Sequence, residues 1–281
     1  MEPYAWQLAT ASVRGASHVA ASLPNQDAVG WRGEPATAGA TPLAVAVADG
    51  HGDPRHFRSE RGARLAVDVA CELAANLGAR IAGADATGSA WLQLWVEVLP
   101  AILDGWRSAV AEDLARHPFS AEEAAGRYSG EDAVVAYGST LLLALLVGRR
   151  LLLAQIGDGD ILAVRADGVT LTPVPSDPSI HGRYTTSLCQ TDALSSFRVA
   201  SLDLDHEPVV MLVLATDGFG NAQTLERWYE RVGADLLALT RERGLAWVER
   251  QVPVWAGRSA SAGGSGDDTT LALLAVDDAR P

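Results

Sequence analysis

Cysteine is nearly absent: Cys71 and Cys189 are the only two in 281 residues, far apart and without a metal-ligand spacing. They supply no disulfide framework, which fits a reducing compartment. Aromatic residues are scarce at 6 % against 48 % hydrophobic overall, so a core must be built mainly from Ala, Leu and Val. Basic residues are outnumbered, with Lys+Arg 22 against Asp+Glu 35 and a formal net charge of −13. That balance argues against a nucleic-acid partner, which needs a basic surface. It suits a protein that gathers cations, although acidity also serves solubility alone. No apolar run approaches a membrane span; Leu141–Val147 is far short of the ~20 residues required. The start, Met1-Glu2-Pro3-Tyr4-Ala5-Trp6, lacks the basic and apolar regions of a signal peptide. There is no internal repeat and no low-complexity tail. A cytoplasmic protein with no membrane partner is expected.

What is present is a series of short apolar runs. Leu43–Ala48 alternates large and small residues as a strand does. Arg58–Leu77 and Trp91–Arg116 carry apolar residues at helical spacing. Strand signals follow at Thr140–Val147, Leu151–Ile156, Ile161–Val164, Val169–Leu171 and Val209–Ala215. Leu225–Val252 reads as helical with a break near Gly233, and Thr269–Val276 as a last strand. Strands joined by short turns, without regular βαβ alternation, favour mainly antiparallel sheets with helices packed outside. The connection from Pro173 to Phe197, rich in Pro, Ser, Asp and Thr, is too long for a turn. It reads as a lid or binding loop, with disorder as the alternative.

Acidic residues stand where apolar runs meet glycine. Asp49-Gly50 follows Leu43–Ala48, and Asp158 follows Leu151–Ile156 within Gly157-Asp158-Gly159-Asp160. Asp217-Gly218 follows Val209–Ala215, and Asp267-Asp268 precedes the last strand. A lone Asp-Gly is ordinarily a hairpin turn, as expected of Asp167-Gly168. Asp49 and Asp217 differ, because each leads into a helical segment. Asp49, Asp158 and Asp217 end strands while Asp267 starts one, so antiparallel packing can bring all four to one edge. Carboxylates that close repel one another unless a cation neutralises them. Hard oxygen ligands select Mg²⁺ or Mn²⁺.

Asn25-Gln26-Asp27, Asp49-Gly50-His51-Gly52, Gly138-Ser139-Thr140, Gly157-Asp158, Thr216-Asp217-Gly218 and Gly266-Asp267-Asp268-Thr269-Thr270 occur in the order found in metal-dependent protein phosphatases of type 2C. The chain resembles that family over nearly its whole length. It is most similar to the bacterial branch, through Ser17-His18, Gln26-Asp27 and Thr185-Thr186-Ser187-Leu188-Cys189. The resemblance implies an α+β fold: a four-layer α-β-β-α sandwich of two mainly antiparallel sheets flanked by helices. One domain over residues 1–281 is expected, with a flap at 173–197. It also implies a pair of Mn²⁺ or Mg²⁺ ions, with Asp49 shared by both, the Gly50 carbonyl on one, and Asp217 and Asp267 on the other. Two such ions ~4 Å apart activate a water and neutralise phosphoryl charge. His51 matches the proposed general acid, which at an ordinary pKa of ~6.5 protonates the leaving oxygen. Asp158 matches a ligand of a third metal.

The pattern also departs from the family. Gln26 stands for a metal-binding Glu, leaving an amide oxygen as the weaker ligand. Asp27 either compensates or caps a strand end. Ser22 stands for the phosphate-binding Arg, so substrate contacts are expected from His18 or Arg14, on the preceding strand, or from Arg55 or Arg58. These two belong to the set Arg55, Arg58, Arg61 and Arg64, spaced by three as on one helical face. Asn221 stands for a third-metal aspartate, which leaves that site weak or empty. Three functions follow: a phosphoserine/phosphothreonine protein phosphatase opposing a bacterial kinase, a non-catalytic binding relative, or a small-molecule phosphate monoesterase. Retention of Asp49, Asp217 and Asp267 favours an enzyme.

Overall fold

Both faces of the central strands are apolar, and the two faces bury against different partners. In β3 (Leu43–Ala48), Leu43, Val45 and Val47 join the core between the sheets. Ala44, Ala46 and Ala48 join a second core beneath the helices. β4 (Leu141–Val147) repeats the pattern, with Leu142, Ala144 and Leu146 on one side and Leu141, Leu143, Leu145 and Val147 on the other. The alanine face of β3 lets α2 (Ser59–Ile81) approach through Ala63, Ala66, Ala70 and Ala74.

In the computed structural model, residues 6–37, 41–82, 88–125, 132–180 and 184–276 are described. β1 (Trp6–Val13), α1 (Ala16–Ala20) and β2 (Ala28–Arg32) precede β3. After α2 come α3 (Gly88–Arg116), α4 (Ala121–Ala125), β4, β5 (Arg150–Ile156), β6 (Asp160–Arg165) and β7 (Thr170–Leu171). β8 (Arg198–Asp203), β9 (Val209–Ala215), α5 (Asp217–Gly220), α6 (Trp228–Arg243), α7 (Leu245–Ser259) and β10 (Thr269–Val276) complete the order. One five-stranded sheet runs β1-β10-β9-β6-β7 and the other β2-β3-β4-β5-β8. Every pairing between these strands is antiparallel. α2 and α3 pack outside the second sheet, and α6 and α7 outside the first. The expected four-layer sandwich is the observed fold.

Two sequence expectations are corrected. The helical stretch after Leu225 breaks at Gly244, where φ is +80°, and not at Gly233. Gly233 lies inside α6, at a close approach where a side chain would run into Thr170 of β7. His18 lies on α1 rather than on the strand before it. Residues 181–183 of the expected flap, and residues 1–5 and 277–281 of the expected single domain, lie outside the described residues. No helix among the described residues is long and apolar enough to cross a membrane.

Candidate metal centre

Strands of both sheets end on the same side, and their ends deliver the acids. Asp49 follows β3, Asp158 follows β5, Asp217 opens α5 after β9, and Asp267 precedes β10. The backbone of Asp49 is pinned across to the start of β4. Its N–H donates to Thr140 Oγ1 at 2.9 Å, and its carbonyl accepts from Thr140 N at 2.8 Å. Gly50 has no room for a side chain, since a Cβ would lie 2.6 Å from Ser59 O and 2.7 Å from Gln26 O. Asp49, Asp158 and Asp217 each place a carboxylate oxygen within 4.8 Å of the others. Asp267 lies outside this trio, more exposed, with Oδ1 3.7 Å from His18 Nε2.

Electrostatics register the crowding. Burial, then the charges of Asp27, Asp217 and Asp158, holds Asp49 well above the usual carboxylate range. Burial and Asp158 push Asp217 up to about 6. Burial also pushes Asp27 up to about 8, against the pull of the Thr216 and Thr270 hydroxyls. Asp158 is raised by burial, with Thr185 and Arg198 pulling it back. A further acid joins them: burial, then Asp217 and Asp158, pushes Asp160 up to about 7. The motifs of the sequence assign Asp160 no role. Its place directly before the apolar run Ile161–Val164, much as Asp267-Asp268 precedes Thr269–Val276, is the signal that the sequence offers.

The neighbouring segment adds oxygen atoms. Gln26 donates from Nε2 to Ser59 Oγ at 2.8 Å, which leaves its Oε1 buried without a partner. Asp27 accepts from Thr216 Oγ1 at 2.8 Å through Oδ2, and its Oδ1 is likewise buried and unpartnered. Buried acceptors normally find a donor, so orphaned ones facing a carboxylate cluster call for a cation. An all-oxygen donor set fits Mg²⁺ or Mn²⁺. Asn221 turns its amide to Asp217, Nδ2 to Oδ2 at 2.9 Å.

In sequence, Asp268 is only the companion of Asp267. Buried at 3 %, it accepts from Gly15 N and from Gln26 N, both at 2.6 Å, and lies 2.6 Å from His18 Nδ1. It therefore clasps α1 and the Gln26-Asp27 segment onto the start of β10. Nothing in the sequence distinguishes this buried clasp from its exposed neighbour.

The phosphate-binding candidates separate. Arg58 is corrected: its five N–H donors meet Glu123 twice, His117 O, Pro118 O and Tyr137 Oη, at 2.6–3.2 Å. A guanidinium has five N–H donors, so none is left for a phosphate. The cation also lies 4.6 Å over the Phe119 ring. Arg61 pairs with Asp113 at 3.1 Å, and Arg14 donates to His18 O at 3.0 Å. Arg55 stays half exposed on the turn Pro54–His56, its side chain held to Asp53 at 3.2 Å and to no other carboxylate among the described residues. His18 stands by the site, its Nε2 4.0 Å from where a Cβ on Gly52 would sit. Ser22 is exposed in a turn with φ 58°.

His51 follows Asp49 and Gly50, its N–H donating to Gly138 O at 3.2 Å. Its ring meets His56 edge-on, centroids 4.9 Å apart. Burial, then His56, lowers its pKa to about 3, so the ordinary imidazole expected from sequence is not what the fold provides. From the other side, residues 186–188 are buried against the centre. Gly157 N donates to Thr186 Oγ1, and Leu188 N to Ser139 O, both at 2.9 Å.

The family model for protein phosphatase 2C matches residues 14–252. The chain belongs to that family. No curated protein matches it. Among solved structures, this protein phosphatase 2C chain is similar to PppA, a regulatory component of T6SS in Pseudomonas aeruginosa, at 20 % identity. The TM-score is 0.58, with 98 % of this chain and 99 % of that one covered. The S. agalactiae serine/threonine phosphatase gives 19 % identity and a TM-score of 0.57, covering 96 % and 99 %. The catalytic domain of the serine/threonine protein phosphatase PstP, in complex with two manganese ions, gives 20 % and 0.54, covering 97 % and 99 %. At such identities these likenesses speak for the fold of the phosphatase 2C chain.

Proposed function

We propose that this chain, as one domain over residues 1–281, hydrolyses phosphoserine and phosphothreonine in proteins, substrates of a bacterial kinase, in the cytoplasm. One observation carries the reading: carboxylates of Asp49, Asp158 and Asp217 within 4.8 Å, beside two buried oxygens without donors, in a phosphatase family. Asp49, Gly50, Asp217 and Asp267, with Asp27, Gln26 and Asp158, are assigned to hold Mn²⁺ or Mg²⁺. Bound there, two such ions supply a water activated for attack and neutralise phosphoryl charge. A third ion binds weakly, because Asn221 offers an amide where a carboxylate would serve better.

The chain's own side chains do the rest. His51 is assigned to the leaving oxygen, which departs poorly as an alkoxide. Burial keeps its ring neutral, and the phosphate dianion of the substrate restores the imidazolium by placing negative charge beside it. Arg55 and His18 are assigned to the phosphate. The segment 173–197 is assigned as the flap that selects the protein around the phosphorylated residue, with Thr186 and Leu188 as its anchor.

Hydrolysis of p-nitrophenyl phosphate and of a phosphothreonine peptide, with and without Mn²⁺, tests this. Wild type should turn over both only with metal, and Asp217→Ala should lose at least about a hundredfold, the scale of a lost charge-stabilising group. Absence of metal-dependent turnover above Asp217→Ala would leave a binding module. Turnover confined to small phosphates would leave a monoesterase.

A further inference from the structure

A separate cleft opens between the β1-β10-β9-β6-β7 sheet and the α6–α7 layer. Val213 and Leu273 form its floor, Leu236, Leu239 and Trp255 its walls, and Phe219 of α5 its inner end. Its volume of about 310 Å³ lies at the lower end of ligand pockets, which are mainly apolar with a few orienting polar groups.

The polar groups at the cleft decide what it takes. Asp235 is paired with Arg231 at 3.6 Å. Gln223 donates its amide to Phe219 O at 3.1 Å. Ser259 is buried, its carbonyl accepting from Ser265 N at 2.9 Å. Arg258 stands exposed at the mouth, and no carboxylate among the described residues pairs with it. One unpaired cation over an apolar cleft selects a molecule with one anionic end and an apolar body. The chain's formal charge of −13 disfavours polyanions, and the volume excludes a long acyl chain.

We propose that this cleft is a binding site for a medium-chain carboxylate, its tail against Leu236, Leu239 and Trp255 and its carboxylate on Arg258. Burial of the methylenes supplies the affinity and Arg258 fixes the orientation. The occupant packs on Phe219, two residues after Asp217, and so touches the helical turn that carries one of the acids.

Calorimetric titration of the full chain with decanoate, and with decanol as the uncharged control, tests the site without reference to phosphatase activity. Wild type should bind decanoate saturably, one per chain. Arg258→Ala should weaken decanoate about fivefold, the scale of an exposed charge pair, and leave decanol unchanged. Leu239→Trp should abolish both by filling the cleft. If that variant does not fold, Val232→Phe fills the same cleft from its lip. The proposal is overturned by absence of saturable binding, by equal decanoate affinity in Arg258→Ala, or by binding that survives filling. Dimerisation of wild type that the filled variant loses would overturn it too, by assigning the cleft to a second copy.

Discussion

Arg55 and Arg58 sit three residues apart in one basic series, and the fold gives them opposite fates. Arg58 is 6 % exposed, with its donors consumed by Glu123, Tyr137 and two carbonyls that tie α4 and the segment before it to the start of α2. Removing it takes the donor from the His117 and Pro118 carbonyls and from Glu123 Oε1, while Ser120 N stays on Glu123 Oε2 at 2.7 Å, which costs about 2 kcal/mol. Arg58→Ala should therefore lower the urea midpoint and leave the KM for p-nitrophenyl phosphate unchanged. Arg55→Ala should do the reverse, raising KM about threefold to tenfold with little change in stability, as for loss of an exposed charge contact. Unfolding curves and steady-state kinetics on both variants check the pair, and the opposite pattern would return Arg58 to the phosphate. Spacing by three placed these residues on one face; it could not say which guanidinium the α3–α4 connection would capture.

At the scale of elements, close approach decides which glycines matter. Gly62 lies inside α2 where Ala would ordinarily gain about 1 kcal/mol. A methyl group there would run into the Tyr137 carbonyl, and the Gly62 carbonyl accepts from Trp106 Nε1 at 3.0 Å. Gly62→Ala should destabilise by more than about 2 kcal/mol, because backbone cannot move aside as a side chain does. Gly257 in α7 has open space around it, so Gly257→Ala should stabilise by about 0.5–1 kcal/mol. Thermal melts of the two variants moving in the same direction would refute this account. The same logic explains what was legible in the sequence. β3, β4 and β9 are buried on both faces and read as unbroken apolar runs, and β5 and β10 as apolar runs, the first interrupted by Gln155 and the second opened by Thr269-Thr270. β2 and β8 are edge strands with half-buried or exposed residues throughout, and the Ala28–Arg32 and Arg198–Asp203 sequences give no such signal. Gly233 and Gly244 look alike in sequence; the fold tells them apart, by Thr170 packed against the first and by the left-handed φ of +80° at the second. Asp49, Asp158 and Asp217 were legible because strand direction alone gathers them. The Asp268 clasp and the neutral His51 were not, since both depend on burial created by distant segments.

For the whole molecule, the acid cluster ties stability to pH and to metal. Asp27 at about 8 and Asp160 at about 7 keep protons in the folded chain that the unfolded chain has released above its ordinary ~4. Where the folded state binds more protons, stability falls as pH rises. Other groups act in the opposite sense, but over a lower range. His51, lowered to about 3, contributes stability that is gained as pH rises through the range up to its unfolded ~6.5. Glu123, lowered to about 2 by Arg58, has its contribution in place above its unfolded ~4.3. Between pH 6.5 and 8 the raised acids therefore dominate, and the chain stripped of metal by EDTA should lose about 1–2 kcal/mol across that window. Divalent cation reverses the slope, because it binds the deprotonated carboxylates and stabilises only the folded state. The rise in Tm on adding Mn²⁺ should thus be larger at pH 8 than at pH 6.5. Melting curves at the two pH values, with EDTA and with Mn²⁺, read both effects at once. A metal-free Tm that is flat or rises from pH 6.5 to 8 would mean that these carboxylates are not packed together as the fold places them.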